Sequence, residues 1–229
     1  MCGRFILLTD LSVISTSFDI QEVSAEYRTG SNICPGEQIS AVIRKKDVNK
    51  LVNFRWGLIP SWAKDPSIGY KMINARAEAL TEKPSFKDAF KWRRCLIPAD
   101  GFYEWQKLGK VKQPLRFYLN SGQPFGFAGL YESWMSPEKN LINTCTIITT
   151  APNELTLPIH DRMPAIVPKD KMAYWMDPEN RDQKGLLSIL KPYPSDEMVI
   201  SAVDPKILYL PKAQESAFFN PDPLCRQRP

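Results

Sequence analysis

A chain of 229 residues with 43% hydrophobic, 11% aromatic and 24% charged side chains has the make-up of one folded domain over residues 1–229, which excludes wholesale disorder. No stretch approaches about 18 consecutive apolar residues and the start lacks the apolar run of a signal peptide, so a cytoplasmic protein with no membrane partner is expected. A net charge of +5 is compatible with a polyanionic partner without requiring one, since the basic residues stand singly beside aromatic, Gly and Pro positions.

In chain order, residues 3–7 read as a strand, and "TDLSVISTSF" as a helix that starts at Thr/Asp and spaces Leu11, Ile14 and Phe18 on one face. Strands follow at 40–45 and 51–57. The stretch "KPSFKDAFKW" predicts a second helix, with proline in its first turn and Phe86 and Phe90 four apart. Strands are then expected at 94–97, 101–106, 114–119, 125–131, 142–150 and 163–167, with "KLGKVKQP" as a hairpin-like loop. Helices over "DKMAYWM" and "QKGLLSIL" and a strand at 197–203 complete the pattern, and residues 221–229 read as a loose tail. Twenty prolines spread throughout punctuate many short elements, so the expected class is α+β: β-rich, with peripheral helices.

The opening "MCGR" carries the most chemistry. If Met1 is removed, Cys2 presents an amine and a thiol on adjacent carbons, with unperturbed pKa values near ~7.7–8.0 and ~8.5. Such a group can attack an amide, its amine serving as base, or capture an aldehyde as a Schiff base that closes to a thiazolidine. Cys95 and Cys145 lie in apolar runs and read as core. With His160 the only histidine and no C-x-x-C pair, no metal site is expected, and no glycine-rich phosphate loop supports a nucleotide cofactor.

Three segments set polar groups in apolar surroundings. In "YKMINARAEAL", Asn74 and Arg76 share a face if the stretch is extended; Asn74 could equally cap a helix begun in "ARAEAL". In "CLIPADGFYEW", Asp100, Phe102 and Glu104 would share one strand face and Tyr103 and Trp105 the other, leaving Glu104 either paired or raised in pKa. In "LTLPIHDRMPAIV", His160 and Arg162 project together ahead of an apolar strand. A nucleophile, an amide, a carboxylate and an imidazole, with Arg4, Arg76 and Arg162 close by in sequence, suit a phosphate-bearing electrophile.

These segments, with "SNICPGE", "RWGLIPSWAK", "FAGLYE" and "CTIITTAPN", resemble the SOS response-associated peptidase (SRAP) family of abasic-site-processing proteins, in order from residue 1 to about 168. The resemblance implies a mainly antiparallel curved sheet or barrel-like core, no cofactor, a monomer, and covalent capture of abasic sites in single-stranded DNA by a mature amino-terminal Cys2. It also implies an autoproteolytic, peptidase-type thiol activity and a lyase activity, and the protein would join the nucleoid when bound to DNA. It further implies that Asn74 lies beside the Cys2 amine, that Glu104 and His160 move protons, and that Arg76, Arg162 and Arg4 hold phosphates. Asn32 and Pro35 would line the cleft together with Trp105. Trp62 would be a wedge stacking on a base, weakened because Ala63 stands where many relatives have a second tryptophan. The rival readings are an amino-terminal-nucleophile amidohydrolase or autopeptidase using Cys2, and a noncovalent single-strand binder that needs no Cys2.

Overall fold

The computed structural model describes residues 2–209; the expected tail at 221–229 lies outside them. Strand β1 (Phe5–Leu7) leads into α1 (Leu11–Ser17), β2 (Glu22–Val23), β3 (Gly30–Ile33), the hairpin β4 (Gln38–Lys45) and β5 (Val48–Trp56), and the short β6 (Asn74–Arg76). Helix α2 (Pro84–Trp92) precedes β7 (Arg94–Ala99), β8 (Gly101–Leu108), β9 (Val111–Leu119), β10 (Phe125–Met135) and β11 (Leu141–Thr150). Then come β12 (Met163–Pro164), β13 (Ile166–Val167), α3 (Met172–Met176), α4 (Gln183–Ile189) and β14 (Met198–Ala202). All four expected helices are present, because each has an apolar stripe to bury: Ile14 in α1; Phe86, Ala89 and Phe90 in α2; Trp175 in α3; Leu186 and Ile189 in α4.

Two sheets form the core. One runs β14-β9-β8-β1-β3; the other runs β12-β11-β10-β7-β4-β5-β2, with β13 added on β10 and β6 on β11. Neighbours β11, β10, β7, β4 and β5 pair antiparallel in turn, and a short parallel pairing of β5 with β11, Arg55 opposite Thr144 and Trp56 opposite Cys145, returns the sheet on itself. This closure makes a five-stranded barrel-like core and leaves those strands few open edges. An aromatic seam joins the two sheets: Phe5 packs edge-on against Trp56 at 5.4 Å and Phe127 at 5.8 Å, and Phe102 stacks on Phe117 at 4.9 Å. The fold is thus β-rich with few helices, as its composition led one to expect.

Three strands had no periodic signal. β2 and β3 are short, and β6 is three residues long, held by parallel pairing with Ile147, Ile148 and Thr149 of β11. The single strand expected at 163–167 is two, β12 and β13, which pair with different neighbours, β11 and β10. A helix capped by Asn74 does not form: residues 77–79 make one tight turn, preceded by Arg76 with no side-chain cap.

Candidate DNA-facing site

Cys2 lies at the head of β1, whose neighbours on either side are β3 and β8. The register Phe5–Phe102 and the bond from the Tyr103 N–H to the Arg4 carbonyl (3.0 Å) bring the start of the chain along the part of β8 that carries Glu104. Along β8, Phe102 enters the main core and Tyr103 and Trp105 join a small cluster with Ile6, Val203 and Leu208, as expected, whereas Asp100 lies at the bend before the strand and, instead of sharing a face with Phe102 and Glu104, accepts from the Leu8 and Thr9 amides. Cys2 and Glu104 are both buried. Burial pushes the Cys2 thiol well above its ordinary range, and the nearby Glu104 charge pushes it further, against the amino terminus and a contact with the Arg4 carbonyl at 3.9 Å. Burial likewise raises the Glu104 carboxyl, opposed by the positive amino terminus and by His160.

His160 reaches this pair from a loop fixed by buried side chains. Asn153 and Thr156, both buried, bond each other around a helix-like turn, and the His160 N–H closes it on the Thr156 carbonyl at 2.9 Å. The imidazole Nδ1 lies 3.0 Å from the Arg162 N–H and 2.9 Å from Asp161 Oδ1.

The β6 strand supplies the next wall. The Trp56 indole, packed against Phe5, donates to the Ile73 carbonyl at 2.8 Å and so ties the start of β6 to β1. Ala75 is buried while Asn74 and Arg76 lie on the other face, the extended alternative of the sequence reading. The Asn74 Nδ2 donates to the Ile73 carbonyl at 3.1 Å, whereas its Oδ1 is buried without a hydrogen-bond partner among the described residues, a cost tolerated where a ligand can supply the donor. Arg162 does not stand as a bare cation. Its guanidinium makes a bidentate pair with Glu78 (2.8 and 2.9 Å) and donates to the Thr149 carbonyl at 2.6 Å, while Arg76 is exposed. Pairing with Arg162 holds the Glu78 carboxyl below its ordinary range.

Around Cys2, Arg4 donates to Asn32 Oδ1 at 3.2 Å and lies 5.5 Å from the Trp105 ring. The Asn32 amide in turn donates to the Leu208 carbonyl. The turn holding Pro35 is fastened to the end of β5 by the Gly36 N–H to the Trp56 carbonyl (2.8 Å) and the Trp56 N–H to the Glu37 carbonyl (2.9 Å). Trp62 sits on the 57–73 loop and is 58% exposed, where a core tryptophan would be covered. That loop is folded back on itself: Gly57 has φ of +131°, and a Cβ on it would meet the Gly69 carbonyl at 2.7 Å. The Trp134 indole donates to the Ala63 carbonyl at 2.7 Å and anchors the base of the turn.

Sequence reasoning passed over Glu78, Asp161 and Tyr70. Tyr70 is 66% exposed on the same loop, with the Arg55 guanidinium 5.3 Å from its ring centre. The acidic residues had one sequence signal, each standing one or two positions from a candidate cation or imidazole. Two cavities lie elsewhere: one of about 460 Å³ beside Phe54 and Tyr131, the other of about 260 Å³ beside Trp92 and Arg181; none of the candidate residues lines either. Among the described residues no three His, Cys, Asp or Glu side chains gather as a metal would need, and no helix is long and apolar enough to cross a membrane.

Comparison with known proteins places these features in context. Residues 1–209 match the family described as SOS response associated peptidase (SRAP). The chain is 50% identical over 201 residues to the abasic site processing protein YoqW of Bacillus subtilis, covering 86% of this chain and 90% of that one. It is 32% identical over 200 residues to the abasic site processing protein HMCES of Xenopus tropicalis, covering 74% of this chain and 60% of that one. A crystal structure of a protein from Bacteroides thetaiotaomicron superposes with a TM-score of 0.84 at 26% identity over the whole of both chains.

Proposed function

The chain belongs to the SOS response associated peptidase (SRAP) family, and we propose that it processes abasic sites in DNA by capturing them covalently through Cys2. The observation that carries this reading is a thiol at the head of the chain, buried beside a carboxyl of raised pKa with an imidazole in electrostatic reach of that carboxyl. Removal of Met1 transfers the amino terminus to Cys2. The Cys2 amine then attacks the aldehyde carbon of the ring-opened sugar, and the resulting carbinolamine loses its hydroxyl as water after protonation, leaving an imine. The thiol adds to the imine carbon; its proton leaves sulfur as the S–C bond forms, and one proton returns to nitrogen. The net change is aldehyde plus aminothiol to thiazolidine plus one water, with no oxidant.

A buried thiol held protonated needs a base at the moment of addition, and Glu104 stands beside it. Its raised carboxyl suits it to give a proton to the departing hydroxyl and take one from sulfur, with His160 as the second proton carrier. Asn74, its carbonyl oxygen buried without a partner among the described residues, is assigned to hold the amine by accepting an N–H. Arg4 and Arg76 are assigned to flanking phosphates, and Arg162 to a phosphate that displaces Glu78. Trp62 is assigned to a base face, with Asn32, Pro35 and Trp105 lining the path of single-stranded DNA.

The test is denaturing electrophoresis and intact mass spectrometry of wild type and Cys2→Ala after incubation with single-stranded DNA bearing one abasic site, without reductant. A covalent species from wild type alone, lacking Met1 and heavier by the DNA less one water, is the expected result. DNA binding with no covalent species, although Met1 is gone, would reject capture and return attention to amide substrates.

A further inference from the structure

Two groups compete for one atom of His160. The Arg162 N–H lies 3.0 Å from Nδ1, and Asp161 Oδ1 lies 2.9 Å from the same nitrogen. An imidazole nitrogen offers in the ring plane either a lone pair or a proton, so the two contacts cannot both be hydrogen bonds at once. When Nδ1 accepts from Arg162, the proton of the neutral ring is on Nε2. In that form Nε2 can donate a hydrogen bond, but it has no lone pair to receive a proton, and losing its own would leave an imidazolate. When Nδ1 carries a proton, Asp161 is its acceptor; Nε2 is then either a free base or, in the imidazolium, an acid. Proton carriage at Nε2 in both directions therefore requires the state that Asp161 serves.

We propose that Asp161 is a positioning residue that selects the Nδ1–H form of His160 and thereby lets the imidazole exchange protons at Nε2, while the Arg162 amide holds the resting form. This deepens the capture reading of the same site and rests on it for its kinetic consequence, though not for the tautomer itself. Among the described residues, the charged groups around the imidazole are Glu104 from β8, and Asp161 and Arg162 on its own loop, the last neutralised by Glu78 from the turn after β6. Glu104 lies with the buried Cys2, whereas the Asp161 side chain is 84% exposed on the Nδ1 side, so its service is directional and not a strong field.

Because His160 is the only histidine, its ring nitrogens give unambiguous signals. The experiment takes full-length wild type, Asp161→Ala and Asp161→Asn, labelled with 15N in histidine, and reads the tautomer from the ring nitrogen shifts as pH is varied. Wild type is expected to show a measurable share of the Nδ1–H form; Asp161→Ala to collapse to Nε2–H; and Asp161→Asn, which keeps an acceptor oxygen, to recover much of it. In parallel, the capture rate against pH is expected to fall by about tenfold or more in Asp161→Ala, toward that of His160→Gln, with no further loss in the double variant. Unchanged tautomer populations in Asp161→Ala, or losses that multiply in the double variant, would overturn the assignment. If wild type lacking Met1 binds DNA without forming a covalent species, the capture reading fails, and the nitrogen shifts still decide the role of Asp161.

Discussion

Two buried polar centres in this molecule are built on opposite plans. At the corner of α2 and α3, Arg94 is 3% exposed and its guanidinium donates to five carbonyls: those of Phe90, Lys91, Trp175, Asp177 and Asn180. It caps the end of α2 and fastens it to α3 and the segment after it. At the head of β1, by contrast, burial works against the groups present: the thiol of Cys2 and the carboxyl of Glu104 are pushed up, and Asn74 Oδ1 has no partner among the described residues. The first centre spends every donor on the fold; the second leaves the carbonyl oxygen of Asn74 unspent among the described residues. A buried polar group that is fully satisfied marks stability, and one held unsatisfied by its surroundings marks a place for a ligand.

The comparison breaks if Glu104→Gln behaves like an ordinary core substitution. Losing a positioned proton carrier is expected to slow capture by about 10²–10⁴-fold, while thermal stability at pH 7 rises. The sign follows from linkage: a carboxyl raised in the folded state is protonated there more readily than in the unfolded chain, so wild-type stability falls as pH climbs from the unfolded value toward the folded one. The stability gap between variant and wild type should therefore vanish below about pH 4, where both states are protonated, a point that melting curves across pH will check. Arg94→Ala should do the reverse, costing about 3 kcal/mol or more in urea titration because five carbonyls lose their donor, with the capture rate of the folded fraction unchanged.

Smaller effects sharpen the contrast on the exposed side. Trp62→Ala is expected to weaken single-strand binding by about 1–3 kcal/mol with little change in melting temperature, since the ring already faces solvent; fluorescence anisotropy measures it. Arg76→Ala should weaken binding evenly across sequences and lower the salt slope by about one. The smallest effect, under about 1 kcal/mol, has the opposite sign: Glu78→Gln frees the Arg162 guanidinium and should tighten binding, with a steeper salt dependence.

Much of the fold was written in local patterns. The four helices showed because Ile14, Phe86 with Phe90, Trp175, and Leu186 with Ile189 recur at helical spacing and each stripe is buried. The long strands β4, β5 and β7 to β11 showed because β-branched and aromatic residues run between Gly, Pro and Asn. β6 did not show, because three residues carry no period and its support comes from β11, over seventy residues away. For the same reason the Asn74 cap was a fair reading of "INARAEAL" that tertiary pairing overrode.

What the sequence determined by itself was the chemistry available: a cysteine able to become the amino terminus, one imidazole, a carboxylate on an aromatic strand and cations spaced along the chain. Their identities and the alternation of faces along β8 are local properties, set by residue type and the two-residue repeat of a strand. Only the tertiary structure decided which of them are buried together, that Glu78 answers Arg162 across 84 residues, and that Asp161 and a backbone amide share one nitrogen of His160. Burial and through-space charge depend on what the folded chain brings into contact, and no local pattern encodes a partner that lies more than a third of the chain away.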